Sequence, residues 1–274
     1  MRPLKTPPFG VAEVIDSFGT GRTIRRVTAL KAQVVAGEQD YLEVSRRQEW
    51  VTLSTRAPAI PTTEDAALRY AYTRMVDKEE AARSFYNVIE SLAPNKKCPL
   101  CLERTTAALD HYLPKKHFAR FAVVPANLVP ICDACNDVKL SNLVTDPLLQ
   151  PLHPYFDDLG GMEWLAGDFD KGPQAPMVYR PERQVGWSNV LFSRVEHHFT
   201  SLGLNELWSA SSGAWLSANR FNLRKMYRDG DETTVRDALQ DAADSYDDDG
   251  SQPWIPIAMR AWARSRWFCQ IRWY

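Results

Sequence analysis

Two cysteine pairs separated by 30 residues constrain this chain more than any other feature. They are Cys98-Pro-Leu-Cys101 and Cys132-Asp-Ala-Cys135. Each pair brings two sulfur atoms onto one turn, and two such turns complete a tetrahedral thiolate site of the kind that holds zinc. The interval is longer than in a short zinc ribbon and must contain a folded insert. The sequence therefore predicts a structural Zn²⁺ bound by these four cysteines.

The insert carries a second and different set of polar residues. Asp110-His111 lies inside it, and Asn136 directly follows the second pair. Carboxylate and amide oxygens suit a hard divalent cation, whereas an imidazole can serve as a general base in hydrolysis. One short stretch thus predicts two separate sites, one structural and one catalytic.

The order of patterns within the insert predicts strand, loop, strand and helix. Ala108 to Tyr112 reads as a strand, Pro114 to Arg120 as a basic loop, and Asn127 to Ile131 as an apolar strand. A short helix is expected to begin at Asn136. Such a hairpin has little hydrophobic support of its own, so we expect zinc to be required for its folding.

The chemistry of these residue types fits phosphodiester hydrolysis, which needs a positioned water, a base and a cation. His111, with an unperturbed pKa of about 6.5, can accept a proton near neutral pH, and activity should rise with pH through its titration. Asp110 and Asn136 supply only two ligands, which leaves a Mg²⁺ ion its waters and room for phosphate oxygens. Because adjacent strand residues point to opposite faces, Asp110 and His111 can share one metal only if the strand ends or bends there.

This constellation resembles the HNH endonucleases of the ββα-metal superfamily. The resemblance covers about residues 96 to 146. It is carried by the following residues: Asp110, His111, Asn127 and Asn136, framed by Cys98, Cys101, Cys132 and Cys135.

The resemblance implies a role for each residue of the motif. Asp110 would be a metal ligand, His111 the general base, Asn127 the residue that braces the hairpin and orients the base, and Asn136 the second metal ligand. An Asn at this last position, rather than His, favours Mg²⁺ or Mn²⁺ over a transition metal.

The family also implies a function. The expected activity is that of a metal-dependent endonuclease or nickase that cuts DNA and leaves 5′-phosphate and 3′-hydroxyl ends. Lys115, Lys116 and Lys139 are candidate phosphate contacts. The motif further resembles HNH proteins of bacterial anti-phage defence, which implies an ATPase or sensor protein as a partner.

Two other functions remain open at the level of sequence. The cysteines could form a zinc ribbon that binds nucleic acid or protein without catalysis, in which case Asp110 and His111 are a solvated pair and Asn136 a helix cap. The chain could also cut RNA, because the motif reads phosphate rather than base. The three lysines could simply be solvated.

Composition sets broad limits. With 274 residues, 45% of them hydrophobic and 24% charged, the chain can bury a sizeable core. A net charge of −1 gives no overall basic signature of a nucleic-acid binder. No stretch resembles a signal peptide or membrane span, and the cysteine usage suits a reducing compartment, so a cytoplasmic protein without membrane contact is expected.

The predicted fold class is α+β, with a zinc-stapled ββα-metal core embedded in a mainly helical protein. We expect a helical region over residues 1–95, the nuclease core over 96–150, and an irregular wrap followed by helices over 151–274. The Pro- and Gly-rich stretch 151–181 is predicted to be irregular. The Arg- and aromatic-rich segment 255–274 is interpreted as a core-facing aromatic stripe with an outer arginine face, although base stacking is an alternative.

Overall fold

The chain is divided into two compact units, one up to Asp158 and one from Leu159 onward. The computed structural model describes residues 3–53, 62–139, 144–161, 163–249 and 252–274. Helices dominate, and two small antiparallel two-stranded sheets accompany them, which confirms the α+β class. The division into functional regions 1–95, 96–150 and 151–274 stays a prediction.

Within the described ranges, five helices of the first unit precede the cysteine pairs. They are α1 (Val11–Ser17), α2 (Arg22–Ala29), α3 (Lys31–Arg47), α4 (Thr62–Val76) and α5 (Arg83–Ser91). The sequence pattern indicates one helix from Thr62 to Leu92, but the chain turns between α4 and α5. There the Asp77 carboxylate accepts the Glu79 amide at 3.1 Å, and Arg83 donates to the Val76 carbonyl at 2.6 Å. These local bonds replace helical ones and end α4.

The insert between the cysteine pairs folds into the predicted hairpin, and the helix that follows begins at Asp133 rather than at the predicted Asn136. Strands β1 (Ala108–His111) and β2 (Leu128–Ile131) are antiparallel, with Asp110 opposite Val129 and His111 opposite Leu128. Helix α6 (Asp133–Lys139) follows β2 after one residue.

The hairpin lies within the main hydrophobic core of the first unit. Leu109, Leu128 and Val129 belong to one buried cluster with residues from α1 to α5. The Tyr72 hydroxyl donates to the Leu109 carbonyl at 2.6 Å, and the Leu109 amide donates to the Tyr86 hydroxyl at 3.1 Å. The expectation that the hairpin has little hydrophobic support is therefore wrong, because helices remote in sequence enclose it.

In the described part of the second unit, a hairpin is followed by five helices. Strands β3 (Leu165–Phe169) and β4 (Met177–Pro181) are antiparallel. The stretch 151–181 is therefore not irregular throughout, since the prolines and glycines flank or punctuate strands instead of excluding them. The helices are α7 (Asn189–Ser201), α8 (Leu204–Asp229), α9 (Glu232–Asp249), α10 (Trp254–Ala263) and α11 (Arg266–Cys269). No helix in the described ranges is long and apolar enough to cross a membrane.

The segment 255–274 contributes aromatic side chains to the core of the second unit. Trp215, Trp262, Phe268 and Trp273 form a continuous stack, with successive ring centroids 5.8, 5.2 and 5.1 Å apart. Trp262, Phe268 and Trp273 are buried. The interpretation as a core-facing aromatic stripe is confirmed for these rings.

Candidate metal centre

Four buried thiols meet at one point of the first unit. The sulfur atoms of Cys98, Cys101, Cys132 and Cys135 all lie within 4.8 Å of one another, and none is in a disulfide. Cys101 Sγ and Cys132 Sγ are 3.9 Å apart. A tetrahedral site with Zn–S bonds of about 2.3 Å places its sulfurs about 3.8 Å apart. The four predicted ligands therefore form a site that can hold a metal such as zinc.

Backbone hydrogen bonds shape both turns of this cluster. In the first turn, the Leu102 amide donates to the Cys98 carbonyl at 2.8 Å, and the Arg104 amide points at Cys101 Sγ from 3.4 Å. Leu102 has a φ of +55°, a left-handed conformation that closes the turn. In the second, the Asn136 amide donates to the Cys132 carbonyl at 3.0 Å within the first turn of α6. The backbone hydrogen bonds of each turn thus fix the positions of its two cysteines.

The thiols perturb one another strongly. Hydrogen bonds from Cys132, and then from Cys135 and Cys98, hold the pKa of the Cys101 thiol well below its usual range. A thiolate is the form that binds metals. Cys269 behaves differently, because burial raises its pKa to about 11, and it lies in the second unit. Cys269 is thus a buried thiol outside the cluster.

Asp110 faces a lysine. Its carboxylate is 2.6 Å from Lys139 Nζ, and the same ammonium donates to the His111 carbonyl at 2.6 Å. Both side chains are largely shielded, with 19% of Asp110 and 12% of Lys139 exposed. A shallow cleft beside this ion pair is lined by Tyr112 and Val129, among others. Lys139 thus neutralises the predicted metal ligand.

His111 ends β1 and is buried, at 4% exposure. Its Nε2 is 2.9 Å from the Ala122 carbonyl, and its ring meets the edge of the Tyr72 ring at 4.4 Å. Within the described part of the chain, Nδ1 forms no hydrogen bond. One ring nitrogen is therefore held by the loop between β1 and β2.

The environment of His111 changes its acidity. Burial, followed by the positive charges of Lys115 and Lys139, lowers its pKa to about 3, and the Ala122 carbonyl only partly opposes this. The sequence argument rested on an unperturbed pKa near 6.5, which is wrong for this environment. The imidazole is neutral at physiological pH, but it is a weaker base than expected.

Asp110 and His111 occupy different environments although they are adjacent. Burial alternates along β1, so that Asp110 lies on the half-exposed side and His111 on the buried side. The strand ends at His111, as the argument from alternation required. The change from the half-exposed to the buried side therefore occurs at the last two residues of the strand.

Asn127 closes the loop between the two strands and is fully buried. Its Oδ1 accepts the Leu113 amide at 2.7 Å, and its Nδ2 donates to the carbonyls of Leu113 and Phe121 at 3.1 Å each. Phe121 immediately precedes Ala122, the residue that holds His111. This arrangement matches the brace that the resemblance implies.

Asn136 and the predicted phosphate contacts are less constrained. Asn136 is half-buried on α6, one turn before Lys139, and among the described residues its side-chain amide forms no hydrogen bond. Lys116 is exposed, whereas Lys115 is half-buried with its ammonium 4.1 Å from the centre of the Tyr72 ring. Burial lowers the pKa of Lys115.

Sequence reasoning missed Tyr72, which contacts three parts of the site. It bonds β1, meets the His111 ring and lies beneath Lys115. Tyr72 is an ordinary apolar position of a helical pattern 38 residues before Asp110, so no local signal connects it to the motif. Only the packing of α4 on the hairpin reveals its place.

His153, a histidine outside the motif, is packed in the core of the first unit. It is fully buried and stacks against Trp50 at 5.3 Å. Its Nδ1 accepts the Tyr155 amide at 3.1 Å, and its Nε2 is 2.9 Å from the Tyr41 hydroxyl. Both ring nitrogens are thus used to order the core.

The chain is similar to a protein of a bacteriophage. No protein-family model and no solved structure matches the chain. The chain is 30% identical over 217 residues to Protein ea31 of Escherichia phage lambda, a match that covers 74% of this chain and 73% of that protein. The chain belongs to the Ea31 family. Because the lambda protein's name states no activity, membership of the Ea31 family leaves the chemistry to be argued from the residues.

Proposed function

We propose that the chain is a metal-dependent endonuclease of the HNH type that hydrolyses DNA phosphodiester bonds. The observation that carries the proposal is the ββα unit itself. It combines a four-thiol cluster at its ends with Asp110 and His111 at the end of β1, a bracing Asn127 and an available Asn136 on α6. A simple zinc ribbon has no use for this second set of residues.

Each of these residues would have a separate role in hydrolysis. Asp110 and Asn136 would hold a Mg²⁺ or Mn²⁺ ion, which stabilises negative charge on phosphate oxygens. His111 is neutral and can accept the proton of an attacking water at Nδ1, while the Ala122 carbonyl fixes Nε2. Asn127 holds the loop that contains this carbonyl. Lys139 lies beside Asp110, where its charge can move to a bound phosphate.

Zinc has a structural role in this proposal. The four thiolates would fill its coordination shell and leave no open position for substrate. The ion would join the turn before β1 to the start of α6. That connection fixes the position of Asn136 relative to Asp110.

The preference for DNA and the biological setting are further parts of the proposal. The ββα unit reads phosphate, so RNA cleavage is the alternative that a substrate panel decides. Action in anti-phage defence beside an ATPase or sensor protein rests on the sequence resemblance alone.

A second candidate is a zinc-dependent binding module without catalysis. Two observations favour it: His111 is buried with a pKa lowered to about 3, and Asp110 is already paired with Lys139. Both features suit a stable scaffold. In that case the ββα unit would present surfaces to a nucleic acid or protein partner.

Plasmid cleavage separates the two candidates. Purified protein is incubated with supercoiled plasmid, and separately with RNA of similar length, with added Mg²⁺ or Mn²⁺ and with EDTA. His111→Ala should lower the cleavage rate by roughly 10²–10⁴-fold. His117→Ala is the matched control, because His117 is an exposed histidine of the same loop.

Zinc content is measured for both variants. Equal cleavage by wild type and His111→Ala would identify a contaminating nuclease and leave the binding module as the function. Cleavage of RNA alone would correct the substrate.

A further inference from the structure

The second half of helix α8 carries an unusual exposed surface in the second unit. Residues 219–228 contain four basic side chains and no acidic one. At 100° per residue, all four, together with two aromatic residues, fall within about 160° of the helix circumference. We name this surface the α8 basic face, and it consists of Arg220, Phe221, Arg224, Lys225, Tyr227 and Arg228.

This face is open and carries large aromatic side chains. Phe221 is 73% exposed and Tyr227 is 39% exposed. Of residues 220–228, only Leu223 is buried, and it lies outside the 160° arc. The helix is therefore anchored on one side and leaves the basic face uncovered within its unit.

Tyr274 adds a third aromatic ring to the face. The guanidinium groups of Arg220 and Arg224 lie 5.0 and 4.1 Å from the centre of its ring, and Tyr274 itself is 65% exposed. Stacking on a ring orders the two arginine side chains and leaves their N–H groups available at the edge. The arginines are thus arranged as donors, although no acidic group among the described residues accepts from them.

Two other arginines of the same unit are neutralised by ion pairs. Arg260 pairs with Asp244 at 2.8 Å and also with Asp247, while Arg266 pairs with Glu232 at 2.9 Å. By contrast, neither Arg220 nor Arg224 forms an ion pair within the described ranges, and the same holds for Lys225. Arg228, the last basic residue of the face, pairs with Asp229 at 3.0 Å. The positive charge is therefore unbalanced at Arg220, Arg224 and Lys225.

We propose that the α8 basic face, completed by Tyr274, binds single-stranded nucleic acid. Phosphates supply the missing negative charge, and unpaired bases supply flat surfaces for Phe221, Tyr227 and Tyr274. Duplex DNA buries its bases in the stack and offers the rings no such contact. The overall charge of −1 hides this site, because the acidic residues lie elsewhere.

Binding is tested apart from cleavage, so the outcome does not depend on the nuclease proposal. All proteins carry His111→Ala, and no Mg²⁺ or Mn²⁺ is added. Fluorescence anisotropy follows a labelled oligothymidylate, and a duplex of equal length, over a range of salt concentrations. The test variant combines Arg220→Gln, Arg224→Gln and Lys225→Gln. The matched control removes three exposed cations of the same unit through Lys171→Gln, Arg180→Gln and Arg183→Gln.

The expected results differ for charge and for stacking. The test variant should weaken oligothymidylate binding at least tenfold and reduce the slope of log affinity against log salt by about 2, at about 0.7 per phosphate contact. Phe221→Ala should weaken binding about tenfold and leave the slope unchanged. The matched control should retain wild-type binding.

Three results would overturn the proposal. One is equal binding by the test variant and the matched control. Another is a preference for duplex that Phe221→Ala does not alter. The third is a change in oligomeric state, measured by light scattering, without a change in oligonucleotide binding, which would assign the face to a second copy of the chain.

Discussion

Lys139 Nζ lies 2.6 Å from Asp110 Oδ2, in the position where a cation would neutralise that carboxylate. The same ammonium also donates to the His111 carbonyl. Lys139 is on α6, so the pairing joins the helix to the end of β1. The lysine therefore competes with any metal ion for Asp110, and its release would supply a positive charge for a phosphate.

Replacement of Lys139 should change metal and nucleic-acid binding in opposite directions. In Lys139→Gln, the Asp110 carboxylate loses its competitor, so Mn²⁺ should bind several-fold more tightly. Loss of the ammonium should weaken affinity for DNA. Calorimetric titration with Mn²⁺ and DNA-binding assays measure the two effects. Lys78→Gln, at an exposed lysine of the first unit outside the motif, is the control. Unchanged Mn²⁺ affinity in Lys139→Gln would show that the ion pair does not compete with the metal.

Loss of one zinc ligand should unfold the metal centre without unfolding the whole first unit. Cys132→Ser should release the metal, because three thiolates hold zinc less tightly than four. Hydrogen exchange should accelerate in the cysteine turns and α6, but remain slow in α4 and α5, which pack in the hydrophobic core. Cys269→Ala should retain the metal. Elemental analysis and exchange mass spectrometry measure both variants, and global unfolding of Cys132→Ser would mean that the core depends on the ion.

Removal of the proposed catalytic ligands should spare zinc. Asp110→Ala and Asn136→Ala should each weaken Mn²⁺ binding and slow any cleavage at least tenfold, while zinc content stays at the wild-type value. The reason is that neither side chain touches the sulfur cluster among the contacts described for them. Asp133→Asn, at an exposed position of the same helix, should change neither metal. Zinc loss in either alanine variant would refute the separation into two sites.

Asn127 should be critical for stability. Its side chain makes three buried hydrogen bonds, and Asn127→Ala would leave one amide and two carbonyl groups of the loop without their partner. Each such group costs about 1–3 kcal/mol, so a loss of at least 3 kcal/mol in the free energy of unfolding is expected. Urea denaturation measures it. Asn87→Ala, on the exposed side of α5, should cost less than about 1 kcal/mol.

The depressed pKa of His111 predicts a specific sensitivity to acid. The folded protein keeps this histidine neutral down to a pH of about 3, whereas the unfolded chain takes up the proton near 6.5. The contribution of the neutral His111 side chain to the free energy of unfolding is thus fully present above pH 6.5. It declines by about 1.4 kcal/mol per pH unit as the pH falls from 6.5 toward 3.

The difference between wild type and His111→Gln isolates this effect. The stability of wild type relative to the variant should fall by about 2 kcal/mol between pH 6.5 and 5. His117→Gln, at an exposed histidine of the same loop, is the matched control. Cleavage should show no inflection near pH 6.5 that depends on His111. A constant difference over this range would contradict the low pKa.

Local sequence patterns were sufficient to predict the four-cysteine cluster and the order of strand, loop, strand and helix. Cysteine spacing fixes which sulfurs share a turn, and apolar runs bounded by Pro114 and Asn127 limit where strands can form. Both are local properties, set by sterics and hydrogen bonding within a few residues. For the same reason the helix that starts at Thr62 was predictable, although the local bonds of Asp77 that divide it were not recognised.

The environment of the candidate site, by contrast, depends on packing between residues that are distant in sequence. Tyr72 comes from a helix that precedes the cysteines, and its packing on β1 helps to bury His111 and lower the pKa that the sequence placed near neutrality. The pairing of Asp110 with Lys139, 29 residues away in the chain, likewise depends on how α6 meets the hairpin. In the second unit, acidic side chains of α9 neutralise Arg260. Arg220 and Arg224, by contrast, are exposed and stack on the Tyr274 ring. Burial and charge pairing depend on residues distant in sequence, so local patterns do not contain them.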